Sequence, residues 1–343
     1  DTVQVVPCFT TGSHITTTGG ETLVEDLRES DIAILADGTR RPILWIGRRT
    51  VQIARHPRPW DVQPIRIRAD AFGPGHPYRD LRLSPDHAVF AHGQLVPVRH
   101  LVNGATIVQD HAGEITYYHV ELAAPDGTAA HDILLAEGLP VESFLDTGNR
   151  SAFANGGPTT MLHPDFALGT WEAQACAPLL REGPALADLR TELLAEATAL
   201  GWDITPDPDL RLLVDGRPVW PTMDAGRYLV RLPANARAVR LRSHRTEPAW
   251  LRADTDDHRI LGVAVTRLVL DGTPIALDDP RLSAGWHAPE GASPHVDWRW
   301  TDGDATLPVA GGRVLELWIA PLERYWRAPR HAALRLAQPG GRV

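Results

Sequence analysis

The sequence contains no lysine, so its 34 basic residues are all arginine. An arginine side chain keeps its proton near neutral pH and forms no Schiff base with a carbonyl compound. Lysine-dependent covalent catalysis is therefore excluded. Because 43 residues are acidic, the formal net charge is -9. This charge argues against a protein that mainly binds nucleic acid or an anionic membrane surface.

Cysteine is also scarce, with only Cys8 and Cys176 present. Two thiols cannot build a disulfide framework or a thiolate metal cluster, and the histidines lack the short paired spacing of a zinc site. We therefore expect no metal and no other cofactor. Cys176 lies in an alanine-rich stretch, where we expect it to pack within a helix.

Long apolar runs are missing as well. No segment approaches the roughly 18–20 apolar residues that a membrane-spanning helix requires. The N-terminal stretch DTVQVVPCF lacks the charged and apolar regions of a signal peptide. The sequence thus predicts a soluble chain, and it leaves open whether that chain is cytoplasmic or is exported by a leaderless route.

The first half of the chain has the pattern of a β domain. Residues 8–148 contain short runs of alternating apolar and polar residues, separated by glycine, proline and aspartate. Examples are residues 31–36, 64–68 and 117–122. At about 100–200 residues per domain, a chain of 343 residues has room for a second domain.

The pattern changes after residue 148. Residues 149–201 predict a linker with one helix, running from Trp171 to Leu200 with leucines at helical spacing. Residues 202–330 return to short strands, for example at 211–214, 262–270 and 314–319, which predict a β-sandwich-like domain. Residues 1–7 form a leader, and residues 331–343 form a basic, flexible tail. The predicted fold class is therefore mainly β.

Three separated segments carry most of the chemical signal. They are VPCFTTGSHI at residues 6–15, LRLSPDHAVF at 81–90, and the stretch 117–144 with YYHVEL and HDILLAEGLPVES. Together they resemble the Hedgehog/intein (Hint) domain, in particular the bacterial Hint-like group without a homing nuclease. The resemblance implies a pseudo-symmetric β fold that attacks its own backbone.

The resemblance also implies a role for each candidate residue. Cys8 would carry out an N-to-S acyl shift on the Pro7–Cys8 peptide bond, which gives a thioester. Ser84 would orient the scissile amide, and His87 would donate a proton to the departing nitrogen. His119 and His131 are candidate assistants. The chemistry itself requires a thiol of pKa near 8.5 to lose a proton and an amide nitrogen to gain one, and one imidazole can serve both needs.

Departures from the family pattern narrow the reaction. Where an intein has an aspartate this sequence has His119, and where an intein ends in His-Asn it has Glu142-Ser143. Splicing requires an asparagine to cyclise, which Ser143 cannot do. The stretch WIGRR at residues 45–49 lacks the acid with which Hedgehog proteins activate a sterol. The resemblance therefore predicts cleavage without splicing, with the chain's own N-terminal heptapeptide as substrate.

A different class of function remains open. Cys8 and His87 would then be core residues and His119 a surface residue of a non-catalytic Hint scaffold. The C-terminal β domain would bind a glycan or a protein. Its candidate loops contain residues 254–259 and the tryptophans Trp286, Trp298 and Trp300 beside acidic residues. The alternative for these tryptophans is that they fill the domain core.

Overall fold

The computed structural model describes residues 6–158, 165–251, 257–291, 296–309, 311–320 and 325–329. It divides into two compact units, Asp1–Leu200 and Gly201–Val343. Residues 1–5 of the expected leader and the expected tail at 331–343 lie outside the described residues. Each unit has its own β sheets and its own hydrophobic core.

Short strands make up most of unit 1. In chain order they are β1 Phe9–Thr10, β2 His14–Thr17, β3 Gly20–Leu23, β4 Ile32–Ile34, β5 Arg40–Gln52, β6 Ile65–Ile67, β7 Leu81–Leu83, β8 Ala88–Ala91, β9 Gln94–Pro97, β10 Ile107–Gln109, β11 Glu114–Ala123, β12 Ala129–Ala130, β13 Ile133–Ala136 and β14 Leu139–Glu142. Single 3-10 turns lie at Ile53–Arg55, Pro59–Asp61, Val98–Leu101 and Arg150–Ala152.

One long strand joins the two halves of this sheet. Hydrogen-bonded neighbours follow the order β10-β6-β7-β1-β11-β5-β4-β2-β13-β14-β8-β9, with β3 on β2 and β12 on β11. Strand β5 pairs with β4 through residues 40–42 and with β11 through residues 43–52. Strand β5 thus belongs to both halves of the sheet. Strand β11, at residues 114–123, pairs with β1 near the N-terminal end of the described chain.

The core of unit 1 follows from strand alternation. Phe9, Ile15, Leu83, Val120 and their neighbours are buried in the largest cluster. The opposite face of β1, β5 and β11 forms a second cluster around Cys8, Trp45, Tyr117, Phe144 and Phe153. Successive side chains of a strand point to opposite faces, which explains why Cys8 and Phe9 belong to different clusters.

The stretch expected to hold one helix contains two. Helix α1 spans Phe166–Gln174 and helix α2 spans Pro184–Ala199. Pro178 and the Gly183-Pro184 pair interrupt the helical pattern, because proline lacks the amide hydrogen and clashes with the preceding turn. Leu186, Leu189 and Leu193 of α2 lie at helical spacing and pack into the core of unit 1.

Unit 2 is also built from short strands. They are β15 Asp203–Thr205, β16 Arg211–Val214, β17 Arg217–Val219, β18 Thr222–Asp224, β19 Arg227–Arg231, β20 Val239–Arg242, β21 Ala264–Leu270, β22 Thr273–Ile275, β23 Trp286–Glu290, β24 Trp298–Thr301, β25 Asp304–Leu307, β26 Val314–Ala320 and β27 Tyr325–Arg327. A short helix, α3, lies at Pro248–Leu251.

Two larger sheets of unit 2 share one core. One has the order β17-β16-β20-β25 and the other β18-β19-β26-β21-β24-β23, with β22 on β21. Leu212 and Leu241 of the first sheet are in the same cluster as Val265 and Leu317 of the second. This is the arrangement of two sheets packed face to face. The prediction of a mainly β chain, with further β sheets in its C-terminal part, is confirmed.

Candidate active site

Strand register brings Cys8 between two of the predicted site residues. Phe9, in β1, pairs with the residue before Ser84 on β7 and with the residue before His119 on β11. In antiparallel pairs, one step back on one strand matches one step forward on the other. Cys8 therefore faces Ser84 on one side and His119 on the other.

The Ser84 hydroxyl is bonded to the backbone on both sides of Pro7. The N–H of Cys8 donates to Ser84 Oγ at 2.7 Å, and the hydroxyl donates to the carbonyl oxygen of Val6 at 3.1 Å. The N–H of Ser84 in turn donates to the Cys8 carbonyl at 2.9 Å. The amide nitrogen of the Pro7–Cys8 bond is thereby fixed by a buried hydroxyl.

Ser84 and His87 are the two ends of one tight turn. The N–H of His87 donates to the Ser84 carbonyl at 3.1 Å, with Pro85 at the second position. Proline favours this position because its φ is already near the value that the turn needs. Strand β7 ends just before this turn and β8 begins just after it, so Ser84 and His87 lie close together where the chain passes from one strand to the next.

The His87 ring is fully buried beside Cys8. Its Nε2 lies 3.2 Å from the carbonyl oxygen of Glu142, which can only accept, so Nε2 carries the proton. Its Nδ1 has no hydrogen-bond partner among the described residues. The ring centroid lies 4.4 Å from that of Phe9 and 5.1 Å from that of His119. Burial lowers the pKa of His87, partly offset by the Glu142 carboxylate and by main-chain groups of Cys8 and Glu142.

The thiol of Cys8 is buried, with 1% of the residue exposed. Burial raises the pKa of this thiol strongly, the Arg49 guanidinium lowers it in part, and the Glu142 carboxylate raises it further. Arg49 pairs with Tyr117 on β11, two positions from His119, and so lies on the same face of the sheet. A thiol in this environment stays protonated unless an adjacent base removes its proton.

His119 is buried in β11 and lines a cavity together with Pro7. Burial holds the pKa of His119 well below its ordinary value, and His87 and His131 lower it further. The N–H of Val120 donates to Nδ1 at 3.2 Å, which leaves the proton of the neutral ring on Nε2. The ring is thus a neutral donor beside Cys8.

His131 is not in direct contact with Cys8. Its Nε2 lies 3.6 Å from the Glu142 carboxylate, and its Nδ1 lies 3.2 Å from the main-chain nitrogen of Cys176. Burial lowers the pKa of His131, but interactions with Cys176 and Glu142 outweigh burial and raise it to about 9. The structure therefore brings Cys8, Ser84, His87 and His119 together. His131 is linked to this group through Glu142.

Glu142 is the functional residue that sequence reasoning missed. One carboxylate oxygen accepts the N–H of Ala88 at 2.7 Å, the other faces His131, and the main-chain carbonyl fixes the tautomer of His87. The sequence marked Glu142 and Arg49 only as departures from the family pattern. Their contacts arise from tertiary packing, so neither spacing nor composition could have identified their roles.

Cys176 is exposed and lies beyond the end of α1, so the expectation that it packs within a helix is wrong. Pro178 follows closely, and the residues around a proline leave the helical region. Among the described residues no group of three or more histidine, cysteine or acidic side chains is arranged to hold a metal ion. In the same part of the chain, no helix is both long and apolar enough to cross a membrane.

The tryptophans singled out in unit 2 are half-buried. The indole N–H of Trp286 donates to the Thr306 carbonyl at 2.7 Å, and that of Trp298 donates to the Glu290 carboxylate at 3.1 Å. Residues 254–256 of the other candidate loop lie outside the described residues, and the side chain of Asp257 pairs with Arg259. These indole donors are thus already engaged within unit 2.

The N-terminal part of the chain is similar to known proteins. A family profile described as a Hint domain matches residues 7–148. Solved structures similar to this chain include the MchDnaB-1 intein (15% identity, 40% of this chain and 99% of that chain, TM-score 0.28) and the gp41-1 intein (10%, 39% and 97%, 0.29). A bacterial intein-like domain from Clostridium thermocellum is also similar (10%, 40% and 98%, 0.29). A search of curated proteins found no match. Unit 1 of this chain contains a Hint domain, at residues 7–148.

Proposed function

We propose that the Hint domain cleaves its own chain at the Pro7–Cys8 bond, through a thioester on Cys8 and without splicing. The observation that carries the proposal is the hydrogen bond from the scissile amide N–H to Ser84 Oγ, beside a buried imidazole whose Nδ1 has no partner. A peptide bond held by a hydroxyl next to a thiol and a free ring nitrogen is arranged for attack on itself.

The first step is an acyl shift that one imidazole can serve. His87 Nδ1 takes the proton of the Cys8 thiol, and the sulfur attacks the carbonyl carbon of Pro7. The carbon–nitrogen bond breaks, and the imidazolium returns the proton to the Cys8 nitrogen as it leaves. Because burial keeps the pKa of His87 low, the ring is a neutral base at pH 7 before the reaction.

Two further groups favour the charged states of this step. The Arg49 guanidinium acts on the Cys8 sulfur in the direction that favours thiolate. The Glu142 carboxylate favours a protonated His87, which is formed in the same proton transfer. His119 supplies a neutral N–H donor on the opposite side of Cys8, where the oxygen of the attacked carbonyl gains charge.

The second step opens the thioester and does not join two flanking segments. Ser143 occupies the position where splicing needs an asparagine, and its hydroxyl accepts the Asp132 N–H at 2.9 Å. The residue is fully buried, and its own N–H donates to the Asp132 carbonyl. A serine has no side-chain amide to cyclise, so cleavage by water or another nucleophile is the outcome that remains.

The test is intact-mass spectrometry of the full chain incubated with dithiothreitol or hydroxylamine. We expect a product that begins at Cys8, with the upstream segment trapped as the thioester or hydroxamate. The Cys8→Ala variant should stay intact, and Cys176→Ala, which removes only the exposed thiol, should be cleaved like the wild type. If the wild type keeps its full-length mass throughout the incubation, as Cys8→Ala should, the domain is a non-catalytic scaffold and the proposal fails.

For unit 2 we propose a binding role, for a glycan or protein ligand. Support comes from Trp220 and Met223, both 63% exposed, and from a shallow cavity of about 220 Å³ that Met223, Tyr228 and Tyr325 help to line. Exposed tryptophans and cavities lined by aromatic rings are both typical of ligand surfaces. A glycan array probed with the full chain should show signals that Trp220→Ala removes. Equal signals for the wild type and the Trp220→Ala variant would overturn a role for the surface around Trp220.

A further inference from the structure

A cavity of unit 1 lies beside Pro7, the residue before the scissile bond. It has a volume of about 650 Å³, and its lining includes Pro7, His119 and Glu142. Pro7 carries the carbonyl that Cys8 would attack, and His119 is the neutral donor beside Cys8. A molecule in this cavity would therefore adjoin the thioester that the proposed function requires.

Much of the cavity wall lies outside the Hint domain itself. Leu168 and Trp171 come from α1, and Leu179 and Arg181 come from the segment between α1 and α2. This segment is anchored on the Hint domain, because the N–H of Leu95 donates to the Pro178 carbonyl and the N–H of Leu180 donates to the Leu95 carbonyl, both at 2.8 Å. The wall thus combines the catalytic face with side chains that follow residue 148.

The cavity lining includes two guanidinium groups, of Arg99 and Arg181, and two carboxylates, of Asp86 and Glu142. Asp86 is paired with Arg99 at 2.6 Å, and Arg181 also acts on Asp86. The Glu142 carboxylate is buried and turned toward Ala88 and His131. Arg99 therefore has a carboxylate partner in Asp86, whereas Arg181 acts on Asp86 only from a distance and has no carboxylate within 4 Å among the described residues. Trp171, Leu168 and Leu179 add apolar surface to the same lining.

We propose that this cavity is the acceptor site of the cleavage reaction, and that it binds a small organic nucleophile with an apolar body and an anionic group. The anion would pair with Arg181, and the apolar body would pack on Trp171. This assignment rests on the proposed function, since an acceptor needs a thioester to attack.

The acceptor step is balanced in atoms and protons. For an acceptor thiol, its sulfur attacks the carbonyl carbon of Pro7 and the bond from that carbon to the Cys8 sulfur breaks. The proton of the acceptor thiol ends on the Cys8 sulfur. The upstream segment leaves as a thioester of the acceptor, and the remaining chain begins with Cys8.

Binding is tested separately from cleavage, with the Cys8→Ala chain and 3-phenylpropionate as the probe in isothermal titration calorimetry. We expect saturable binding that Arg181→Gln weakens about five- to tenfold, as expected for the loss of one charged contact. Arg28→Gln, which changes an exposed arginine that does not line the cavity, should bind like its parent. The neutral 3-phenylpropionamide should bind as weakly as 3-phenylpropionate binds to the Arg181→Gln chain. Absence of binding, or equal binding by all variants, would overturn the assignment.

Cleavage rates then distinguish the two proposals. Each thiol's cleavage rate is first divided by the rate at which the same thiol reacts with a free thioester. In the wild type, this ratio should be highest for 3-mercaptopropionate, lower for 2-mercaptoethanol and lowest for cysteamine. Arg181→Gln should remove the preference for the anion. Cleavage without charge preference would contradict the acceptor site and leave the proposed function standing. Anion binding without any cleavage would contradict the proposed function and leave an anion site.

Discussion

At the scale of single residues, the account depends on a proton moving between two buried groups. The Cys8 thiol is protonated in its ordinary state, because burial raises its pKa, whereas the His87 ring is neutral, because burial lowers its pKa. Both shifts have the same cause, since a buried site disfavours either charge. The pair is therefore stable as thiol and imidazole, and the proposed mechanism requires the thiol proton to pass directly to His87 as the thiolate forms.

Replacing His87 tests this transfer. His87→Gln keeps a polar side chain but cannot accept and return a proton, so we expect the rate of cleavage to fall on the order of 10²- to 10⁴-fold. His92→Gln changes an exposed histidine, with a side chain 61% exposed, and should leave the rate unchanged. Both rates are measured by the appearance of the chain that begins at Cys8. Equal rates for His87→Gln and wild type would exclude the ring as the acid and base.

The pH dependence of cleavage follows from the direction of the His87 pKa. Because that pKa lies below the ordinary value of about 6.5, the ring is neutral at pH 7 and gains nothing from higher pH. We expect a rate that is flat above pH 6.5 and declines only at lower pH, measured at a constant concentration of unprotonated hydroxylamine. A rate that rises tenfold per unit between pH 7 and 9 would instead indicate a freely ionising thiol.

Ser84 is tested by two substitutions that differ in one group. Ser84→Thr keeps the hydroxyl and should cleave at a rate close to wild type. Ser84→Ala leaves the Cys8 N–H and the Val6 carbonyl without their partner, so we expect a loss of stability of about 1–3 kcal/mol and a rate at least tenfold lower. Urea unfolding and the cleavage assay measure the two effects. Full activity in Ser84→Ala would show that the hydroxyl does not orient the bond.

The local part of this site was predictable and the remote part was not. Ser84 and His87 are three residues apart in one turn with Pro85, so their spacing alone predicts that they lie together. His119 meets Cys8 through a strand pairing across more than 100 residues, which only the family resemblance suggested. Glu142 and Arg49 act through contacts between segments that are distant in the sequence, and the sequence carries no local signal for them.

At the scale of elements, β1 is the part whose position matters most. It has only two residues, yet it pairs on both sides and sets Cys8 between β7 and β11. Alternation predicted the strands near 31–36, 64–68 and 117–122, because each has a buried face. The sequence predicted one helix where the structure has α1 and α2. The many alanines and leucines of this stretch favoured a continuous helix, although Pro178 and Pro184 are signals that end one.

Helix α2 should stabilise the Hint domain, since Leu193 is buried in the same cluster as Phe9 and Leu83. Leu193→Ala should lower the free energy of unfolding of unit 1 by about 2–5 kcal/mol, because it leaves a cavity in that core. Leu194→Ala removes the same atoms from the adjacent, half-exposed position and should cost less than half as much. Urea unfolding of the full chain gives both values. Equal values would show that α2 does not pack on this core through Leu193.

At the scale of the whole molecule, the composition predicted the class of fold better than it predicted the chemistry of the site. Short strands ended by glycine, proline and aspartate recur in both units, and both are β structures with separate cores. Nothing in the composition indicated that residues 165–200, expected to link two domains, complete the core of unit 1 and line its cavity. That information lies in contacts between distant segments, which periodicity does not record.

The central claim is that the carbonyl carbon of Pro7 moves from nitrogen to sulfur. The most direct measurement is the ¹³C NMR signal of that carbon, labelled in the full chain. We predict a thioester signal in the wild type that hydroxylamine removes and that Cys8→Ala lacks. An amide signal alone in the wild type, unchanged by hydroxylamine, would contradict the account.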